Sequence, residues 1–390
     1  MHRKNKVKDM SSPLSSLSME HLMQMACQKT NLCDWGDESF QYPLGKLLEF
    51  FNEMYPEDVN KRFSFAYTIA DILGKRLYIQ DNFKSYQEIS GIPVKQPLFI
   101  TGLPRTGTTL IHHLISRDSI WRVLLYWELL YPYQRKDIEN FEAYAVNLTE
   151  QGLKALYSLR PEFIYRHETK ATGPEECFNL LRITFYNIAW PNEWYLTNYL
   201  EWFLQQDMTD SYRYYKKLLQ LLLWRKPGDH LLLKCPAHLF NVDAIFNVFP
   251  DAAVIWMHRN PCKSIASGLS LLSVFHDLSA GPDEFIKLYM EYFKQSLHKT
   301  MEIEKSGTNR LKSISYRELI RQPVEVIRDI YHRFGYPWDP DKEKGILKWL
   351  TDNPQHKHGT HKYRLEDFGF TETDIRNRFS EYFDTYGHLI

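Results

Sequence analysis

The chain has 390 residues, of which 44% are hydrophobic and 15% aromatic, enough for a sizeable core in one large domain or two smaller ones. Its 48 basic and 48 acidic residues cancel, which argues against a general nucleic-acid binder. Five cysteines without a C-x-x-C pair argue against a disulfide framework and a structural zinc site, and we expect no metal. No apolar run approaches the ~18–20 residues of a membrane span, so we expect a soluble, cytoplasmic protein.

The N-terminal part of the chain changes character near residue 19. Residues 1–18 are polar and rich in serine, whereas the pattern from about Met19 to Tyr86 is helical. We therefore expect residues 1–90 to form a mobile N-terminus followed by a helical lead-in. Residues 91–390 are expected to form a single α/β domain.

A strand, a tight loop and a helix then follow one another in the most informative part of the chain. Pro97–Thr101 is predicted as a buried strand, Gly102–Thr109 as a loop, and Leu110 as the start of a helix. The spacing G-x-x-x-x-G-x-T matches a nucleotide-binding phosphate loop, except that Thr108 stands where an ATPase or GTPase has Lys. Arg105 supplies a positive charge inside the loop instead. The sequence therefore predicts a phosphate site for a nucleotide with different leaving chemistry.

Beyond the loop, short apolar strands alternate with helices. Strands are predicted over Leu231–Lys234, Ala253–Met257 and Leu311–Ser315. Helices are predicted over 138–158, over 174–187, over about Asp210–Arg225, and after Pro236. This alternation predicts a central parallel sheet covered on both faces, a three-layer α/β sandwich like that of the P-loop NTPases, with helical additions.

Basic and hydroxyl side chains follow the carboxyl ends of these strands, where ligands of such sheets bind. Lys234 ends one predicted strand, and Arg259 leaves the next just before a helix that Pro261 would start. Ser267 lies in the first turns of that helix, and Tyr316 follows the last strand. Arg259 beside a helix N-terminus is a second anion site. Two anion sites on one sheet edge indicate a nucleotide with phosphates at two separated positions.

These motifs together resemble the sulfotransferases that use 3′-phosphoadenosine 5′-phosphosulfate (PAPS). The matching segments are Gly102–Thr109, His258–Pro261 with Ser267, Ser315–Leu319, Leu233–Leu239 and Gly359–Gly369. The last two segments resemble those of one widespread, largely bacterial branch of the family. The resemblance implies transfer of a sulfuryl group from PAPS to a hydroxyl or amine of a small molecule, with release of adenosine 3′,5′-bisphosphate. It also implies that part of the added helices lies on the acceptor side of the sheet.

The resemblance assigns roles to individual residues. The 5′-phosphosulfate would be bound by Arg105, Thr106, Gly107, Thr108 and Thr109. The 3′-phosphate would be bound by Arg259 and Ser267, and the adenine end would contact Tyr316. A C-terminal segment would close over the cofactor through His361, Lys362 and Tyr363. Arg105 replaces a Lys of the cytosolic enzymes, and its permanent charge would still neutralise the departing phosphate oxygen.

The sequence offers several candidates for the base that takes the proton of the acceptor. The cytosolic enzymes have a catalytic His where this chain has Pro236. The first candidate is Glu128, because tyrosylprotein sulfotransferases and some bacterial relatives place a base Glu at a similar distance beyond the loop. The second candidates are His167, Glu168, Glu175 and Glu176. Lys234 is predicted to contact the cofactor or the transition state.

Two alternative functions stay open on the sequence. A P-loop kinase or NTPase would carry Lys at position 108 and a Mg²⁺-binding Asp at a strand end, where this chain has Lys234 and Arg259. A non-catalytic nucleotide-binding protein on the same fold would lack a base near the loop. The aromatic segment Trp190–Tyr215 is a candidate lining for the acceptor pocket. Neither the acceptor nor the oligomeric state follows from the sequence.

Overall fold

A computed structural model describes residues 17–161, 164, 169–273, 276, 278, 283–353 and 364–390. In these residues, five parallel strands form one sheet in the order β2-β3-β1-β4-β5. The strands are β1 Leu98–Gly102, β2 Trp121–Val123, β3 His230–Lys234, β4 Ala253–His258 and β5 Leu311–Ser315. Because β1 is the central strand, the loop that follows it lies between the carboxyl ends of β3 and β4.

Helices precede the sheet, connect its strands and follow it. The first nine are α1 Met19–Thr30, α2 Gln41–Met54, α3 Val59–Ser85, α4 Thr108–Ile115, α5 Tyr126–Leu130, α6 Phe141–Leu159, α7 Phe178–Arg182, α8 Ala189–Trp194 and α9 Thr197–Phe203. The others are α10 Thr209–Arg225, α11 Val242–Val248, α12 Pro261–Leu272, α13 Glu284–Lys305, α14 Tyr316–Arg321, α15 Pro323–Phe334, α16 Pro340–Asp352, α17 Glu372–Arg378 and α18 Ser380–Tyr386. Short 3₁₀ helices cover Gln87–Gly91, Pro236–Asn241, Leu365–Phe368 and Gly387–Leu389.

Local sequence explains where several of these helices begin. The side chain of Asp58 accepts a hydrogen bond from the backbone N–H of Lys61 and caps α3. The side chain of Asn260 likewise accepts from Cys262, and Pro261 occupies the first position of α12. The chain after β4 therefore turns directly into a helix.

The two faces of the sheet carry separate hydrophobic cores, as expected for a three-layer sandwich. Phe99 of β1 belongs to the larger core, which also contains apolar side chains of α1, α2, α3, α10 and α13. Its neighbours Leu98 and Ile100 belong to the smaller core, with side chains of α4, α15 and α16. The alternation along β1 follows from the two-residue repeat of a strand. Both faces are covered, so β1 is buried along its whole length.

The structure confirms the predicted parallel sheet and corrects several details. The short strand β2 was not predicted, because three residues give too little periodicity to recognise. The helix predicted over 174–187 is reduced to α7, since the backbone N–H of Glu175 is bonded instead to the carbonyl of Leu124 at 3.1 Å. The loop helix begins at Thr108, two residues before Leu110. The helix predicted after Pro236 is a 3₁₀ helix.

The described cysteines fall into two groups. Cys27 and Cys33, six positions apart at the end of α1, form a disulfide. Cys177, Cys235 and Cys262 are free and buried. One short link of this kind is not the disulfide framework of a small secreted domain. Within the described residues, no helix is both long enough and apolar enough to cross a membrane.

Candidate active site

Two glycines allow the loop between β1 and α4 to pack closely against neighbouring segments. Gly107 has a φ of 96°, and a Cβ at this position would lie 2.5 Å from the Tyr316 ring. A Cβ at Gly102 would lie 2.6 Å from the backbone oxygen of Met257. Both positions therefore require glycine, because a side chain would push the loop away from β4 and α14.

The loop presents an anion-binding surface to a cavity at the sheet edge. The first N–H groups of α4 and the positive end of its dipole face the loop, an arrangement that binds phosphate. Thr106 is 1% exposed, and its hydroxyl donates to the backbone oxygen of Leu103 at 2.8 Å, so it braces the loop from behind. The other predicted loop residues line the cavity, namely Arg105, Gly107, Thr108 and Thr109.

Arg259 connects the loop to the two strand ends beside it. Its Nη1 donates to the backbone oxygen of Arg105 at 2.8 Å. Its guanidinium carbon lies 4.4 Å from the centre of the Tyr316 ring, which packs on Gly107. Arg259 and Tyr316 both line the cavity. Because a guanidinium has five N–H donors, Arg259 can hold the loop and bind an anion at the same time.

Ser267 does not reach the cavity in the way that Arg259 does. It is 5% exposed within α12 and is not among the described residues of the cavity wall. Gly268 lines the cavity instead. Of the predicted 3′-phosphate and adenine residues, the structure therefore brings Arg259 and Tyr316 to the loop and leaves Ser267 one layer behind it.

One cavity of about 470 Å³ joins the loop to a chamber beside the sheet. Small-molecule sites are typically ~300–1,000 Å³ in volume, so the cavity is large enough for a ligand. The chamber walls come from α6, α7, α8 and α13 and the segments beside them. Their apolar side chains include Leu153, Leu156, Phe178, Ile188, Leu239, Tyr289, Tyr292 and Phe293.

The predicted aromatic lining of the chamber is wrong in its main part. Within the segment 190–215, only Asn192 and Glu193 belong to the described cavity wall. Trp190, Tyr199 and Tyr215 are fully buried. These large rings pack in the core because the helices α8, α9 and α10 turn them towards the sheet and α3, a long-range effect that local sequence does not show.

Two neighbouring carboxylates, Glu175 and Glu176, line the cavity. Glu176 Oε1 accepts a hydrogen bond from Lys234 Nζ at 2.7 Å, and Glu175 Oε2 accepts one from Thr169 Oγ1 at 2.9 Å. Burial lowers the pKa of Lys234, but the charges of Glu176 and Glu175 outweigh it and raise the pKa above its usual value. Lys234 is 2% exposed, so its positive charge influences the cavity through its hydrogen bond to Glu176.

Glu128, the first candidate base, is held away from the cavity. Both carboxylate oxygens pair with the Arg122 guanidinium, and Oε2 also accepts from the backbone N–H of Leu125 at 2.9 Å. Glu128 is 2% exposed, and the described cavity wall includes Tyr126 of the same helix but not Glu128. This geometry contradicts the predicted contact with an acceptor, because the carboxylate joins β2 to α5 from within the protein.

A second ion pair lies in the chamber wall and was not singled out in the sequence. Arg182 Nη2 and Glu193 Oε2 are 2.5 Å apart, and both residues line the cavity. The Arg182 guanidinium lies 4.5 Å from the centre of the Trp190 ring. Burial raises the pKa of Glu193, and the charge of Arg182 opposes this. In the sequence, the pair could have been suspected from Glu193, a single carboxylate between Trp190 and Trp194.

Two other buried side chains, His238 and Cys262, do not add to the site. His238 is a packed core residue, since its Nδ1 lies 2.6 Å from the Tyr212 hydroxyl and burial lowers its pKa to about 3. Burial also raises the pKa of the Cys262 thiol, so it is not an activated nucleophile. The other candidates lie outside the described residues, namely His167, Glu168, His361, Lys362 and Tyr363.

Several known proteins are similar to this chain. Omega-hydroxy-beta-dihydromenaquinone-9 sulfotransferase Stf3 of Mycobacterium bovis and Mycobacterium tuberculosis is 24% identical over 305 residues, which are 75% of this chain and 75% of that protein. Sulfotransferase STF9 from Mycobacterium avium superposes with a TM-score of 0.81 at 26% identity, covering 96% of this chain and 97% of that one. Sulfotransferase STF1 from Mycobacterium tuberculosis H37Rv gives 0.80 at 25% identity, with coverages of 94% and 99%.

The match to a protein family spans the loop and the residues gathered around it. The sequence model of the Sulfotransferase family matches residues 97–340, more than half of the chain. This range contains β1, the loop, Glu176, Arg259 and Tyr316. Because the matched residues build the cavity as well as the sheet, the chain belongs to the sulfotransferase family.

Proposed function

We propose that this sulfotransferase uses PAPS as its donor and transfers the sulfuryl group to a hydroxyl of a small molecule with an apolar body. An amine acceptor has the same geometric requirements and stays within the proposal. The observation that carries it is a single cavity with a phosphate-binding loop, a second guanidinium anion site, and two carboxylates in its wall. A bound PAPS molecule supplies an activated sulfuryl group on a phosphate leaving group.

The residues of the donor end fit such a nucleotide. The loop offers N–H groups and the start of α4 for the 5′ end, and Arg105 adds a permanent positive charge. Arg259 supplies a separate guanidinium for a 3′-phosphate, and its stacking partner Tyr316 supplies an aromatic face beside it. Thr108 cannot replace the Lys that reaches the β- and γ-phosphates in kinases, which favours PAPS over ATP.

The acceptor end fits a hydroxyl compound with an apolar body. The chamber is lined mainly by apolar and aromatic side chains, which bind such a body by removing it from water. The name of the Stf3 relatives describes a hydroxyl compound of this kind, a dihydromenaquinone. Zero net charge gives no attraction for a polyanionic acceptor.

We assign the removal of the acceptor proton to Glu176, in place of Glu128. Glu176 lies in the cavity wall, and its pairing with Lys234 keeps one carboxylate oxygen fixed while the other is left for the acceptor. A base must lie within hydrogen-bond reach of the proton it takes, a condition that the buried Glu128 does not meet. Glu175 is the neighbouring alternative, and it holds its position through Thr169.

Calorimetric titration with adenosine 3′,5′-bisphosphate, beside ATP with Mg²⁺, tests the donor. The proposal expects binding of the bisphosphate and none of ATP with Mg²⁺. Incubation with PAPS and a panel of apolar alcohols and phenols, with release of the bisphosphate as readout, then tests the acceptor class. Binding of ATP with Mg²⁺ in place of the bisphosphate would overturn the proposal in favour of kinase-like chemistry.

A further inference from the structure

The last residue of β4, His258, is fully buried and has no part in the function proposed above. It directly precedes Arg259, the residue that holds the phosphate loop. Burial, together with the charge of His388, lowers the pKa of His258 to about 3. A neutral imidazole at this position needs one donor and one acceptor as partners, and the structure supplies both.

Five side chains, His258 included, form a chain of hydrogen bonds. Its Nδ1 lies 2.8 Å from the hydroxyl of Tyr382 on α18, and its Nε2 lies 2.9 Å from Ser313 Oγ on β5. Ser313 Oγ donates to Glu304 Oε1 on α13 at 2.6 Å. The hydroxyl of Tyr386 donates to the other oxygen of the same carboxylate. The chain therefore runs from the C-terminal helix through the sheet edge to α13.

The carboxylate at one end fixes the direction of every proton in the chain. Because Ser313 gives its only proton to Glu304, its oxygen must accept from His258 Nε2–H. His258 Nδ1 is then an acceptor, and the Tyr382 hydroxyl must donate to it. One set of proton positions therefore satisfies the whole chain, which anchors the side chain of the residue directly before Arg259.

We propose that this chain, Glu304–Ser313–His258–Tyr382, positions Arg259 for the 3′-phosphate of the donor, so that α18 forms part of the donor site. The inference rests on the proposed function. Arg259 lies beyond the last paired residue of β4 and is half-buried, so the sheet alone does not fix its backbone. The Tyr382 hydroxyl instead anchors the side chain of His258, the residue directly before Arg259. A guanidinium that is anchored through its chain neighbour and through Nη1 loses less entropy when it binds an anion.

The Tyr382→Phe variant removes only the hydroxyl and keeps the ring, which stacks on His258 at an interplanar angle of 18°. We measure by calorimetry the affinities for adenosine 3′,5′-bisphosphate and for adenosine 5′-monophosphate, which lacks the 3′-phosphate. We expect the variant to bind the bisphosphate about three- to tenfold more weakly, the usual worth of one hydrogen bond. Its affinity for the monophosphate is expected to change less, because that ligand has no 3′-phosphate to contact Arg259.

The matched control is Tyr336→Phe, which removes a buried tyrosine hydroxyl that donates to the backbone oxygen of Gln96 at 3.0 Å, outside this chain of hydrogen bonds. It leaves the bond between Tyr382 and His258 in place, so both affinities should match those of the wild type. An unchanged bisphosphate affinity in Tyr382→Phe would overturn the inference, and so would an equal loss for both nucleotides, which is the mark of general loosening. A wild-type protein that binds the two nucleotides equally would instead remove the proposed 3′-phosphate site, and the inference with it.

Discussion

The two ends of the cavity are built in different ways. At the donor end, backbone conformation fixes the parts: Gly107 lies under the Tyr316 ring, and Arg259 is bonded to the backbone oxygen of Arg105. At the end proposed for the acceptor, side chains of α6, α7, α8, α12 and α13 contribute to the wall. A fixed donor end and a wall made of independent side chains allow one reaction to be combined with different acceptors.

The Glu176→Gln substitution is expected to have the largest effect, and it tests the residue proposed as the base. It removes the proposed base while keeping a similar shape and a hydrogen bond to Lys234. We expect turnover to fall by about 10²–10⁴-fold, the usual contribution of a general base. Affinity for adenosine 3′,5′-bisphosphate, measured by calorimetry, should stay the same, because Glu176 lies outside the phosphate loop and is not among the residues proposed to bind the bisphosphate.

The neighbouring Glu175→Gln variant is the matched control for this prediction. It also removes one carboxylate charge from the cavity wall, so a purely electrostatic effect on the site would appear in both variants. If Glu175→Gln loses turnover and Glu176→Gln keeps it, the base is Glu175. If both keep it, neither carboxylate takes the acceptor proton.

The Glu128→Gln substitution is expected to affect stability instead of chemistry. It leaves the buried Arg122 guanidinium without its counter-charge, a change that typically costs about 3–5 kcal/mol. Urea unfolding should show this loss, while the turnover number per folded molecule in a PAPS assay stays near that of the wild type. A stable but inactive Glu128→Gln protein would return the role of base to Glu128.

The Arg259→Ala substitution tests the donor end by itself. Charge-assisted hydrogen bonds are worth about 1.5–3 kcal/mol each, so loss of the guanidinium should weaken bisphosphate binding about 10- to 100-fold. The affinity for adenosine 5′-monophosphate should fall less, because this ligand is affected only through the Arg105 carbonyl, which loses its hydrogen bond from Arg259. The control is Arg213→Ala, which removes an exposed Arg whose ion pair with Asp210 lies on the surface. Equal losses for both nucleotides would mean that Arg259 only braces the loop.

The difference between the two ends also explains what the sequence could predict. The loop, Arg259 and Tyr316 depend on short motifs, because a phosphate loop needs glycine at fixed spacing and the strand ends of a parallel sheet meet at one edge. The parallel sheet could be predicted from four short apolar runs that alternate with helical segments. Glu176 replaces Glu128 as the proposed base because the two carboxylates point in different directions, which depends on Arg122 of the unpredicted strand β2 and on Lys234 of β3.

The chamber wall was the least predictable part, since packing over long distances decides which rings of the aromatic segment reach it. Glu193 and Trp190 stand three residues apart, yet one lines the cavity and the other is fully buried. Residues three apart lie on the same face of a helix, and Arg182 contacts both, so the two differ in depth within the wall. Composition showed that the segment was aromatic, but the depth of each side chain depends on the packing of α8 against its neighbours.

The Arg182→Met substitution tests the acceptor end and is expected to have the smallest effect. Methionine keeps most of the apolar contact with Trp190 and removes the partner of Glu193. We expect the acceptor KM to change by about three- to tenfold, since an unpaired carboxylate alters one wall of the chamber. Affinity for the bisphosphate should stay within about twofold, as the loop lies outside this contact.

The double variant Arg182→Met/Glu193→Gln distinguishes a charge effect from a packing effect. It removes the carboxylate charge as well, so the wall becomes neutral again and the acceptor KM should return part of the way to its wild-type value for apolar alcohols. If the double variant behaves like Arg182→Met alone, the shape of the Arg side chain matters and its charge does not. If either variant loses bisphosphate binding together with the change in KM, the two ends are coupled, and the separation between a fixed donor site and a replaceable acceptor wall does not hold for this sulfotransferase.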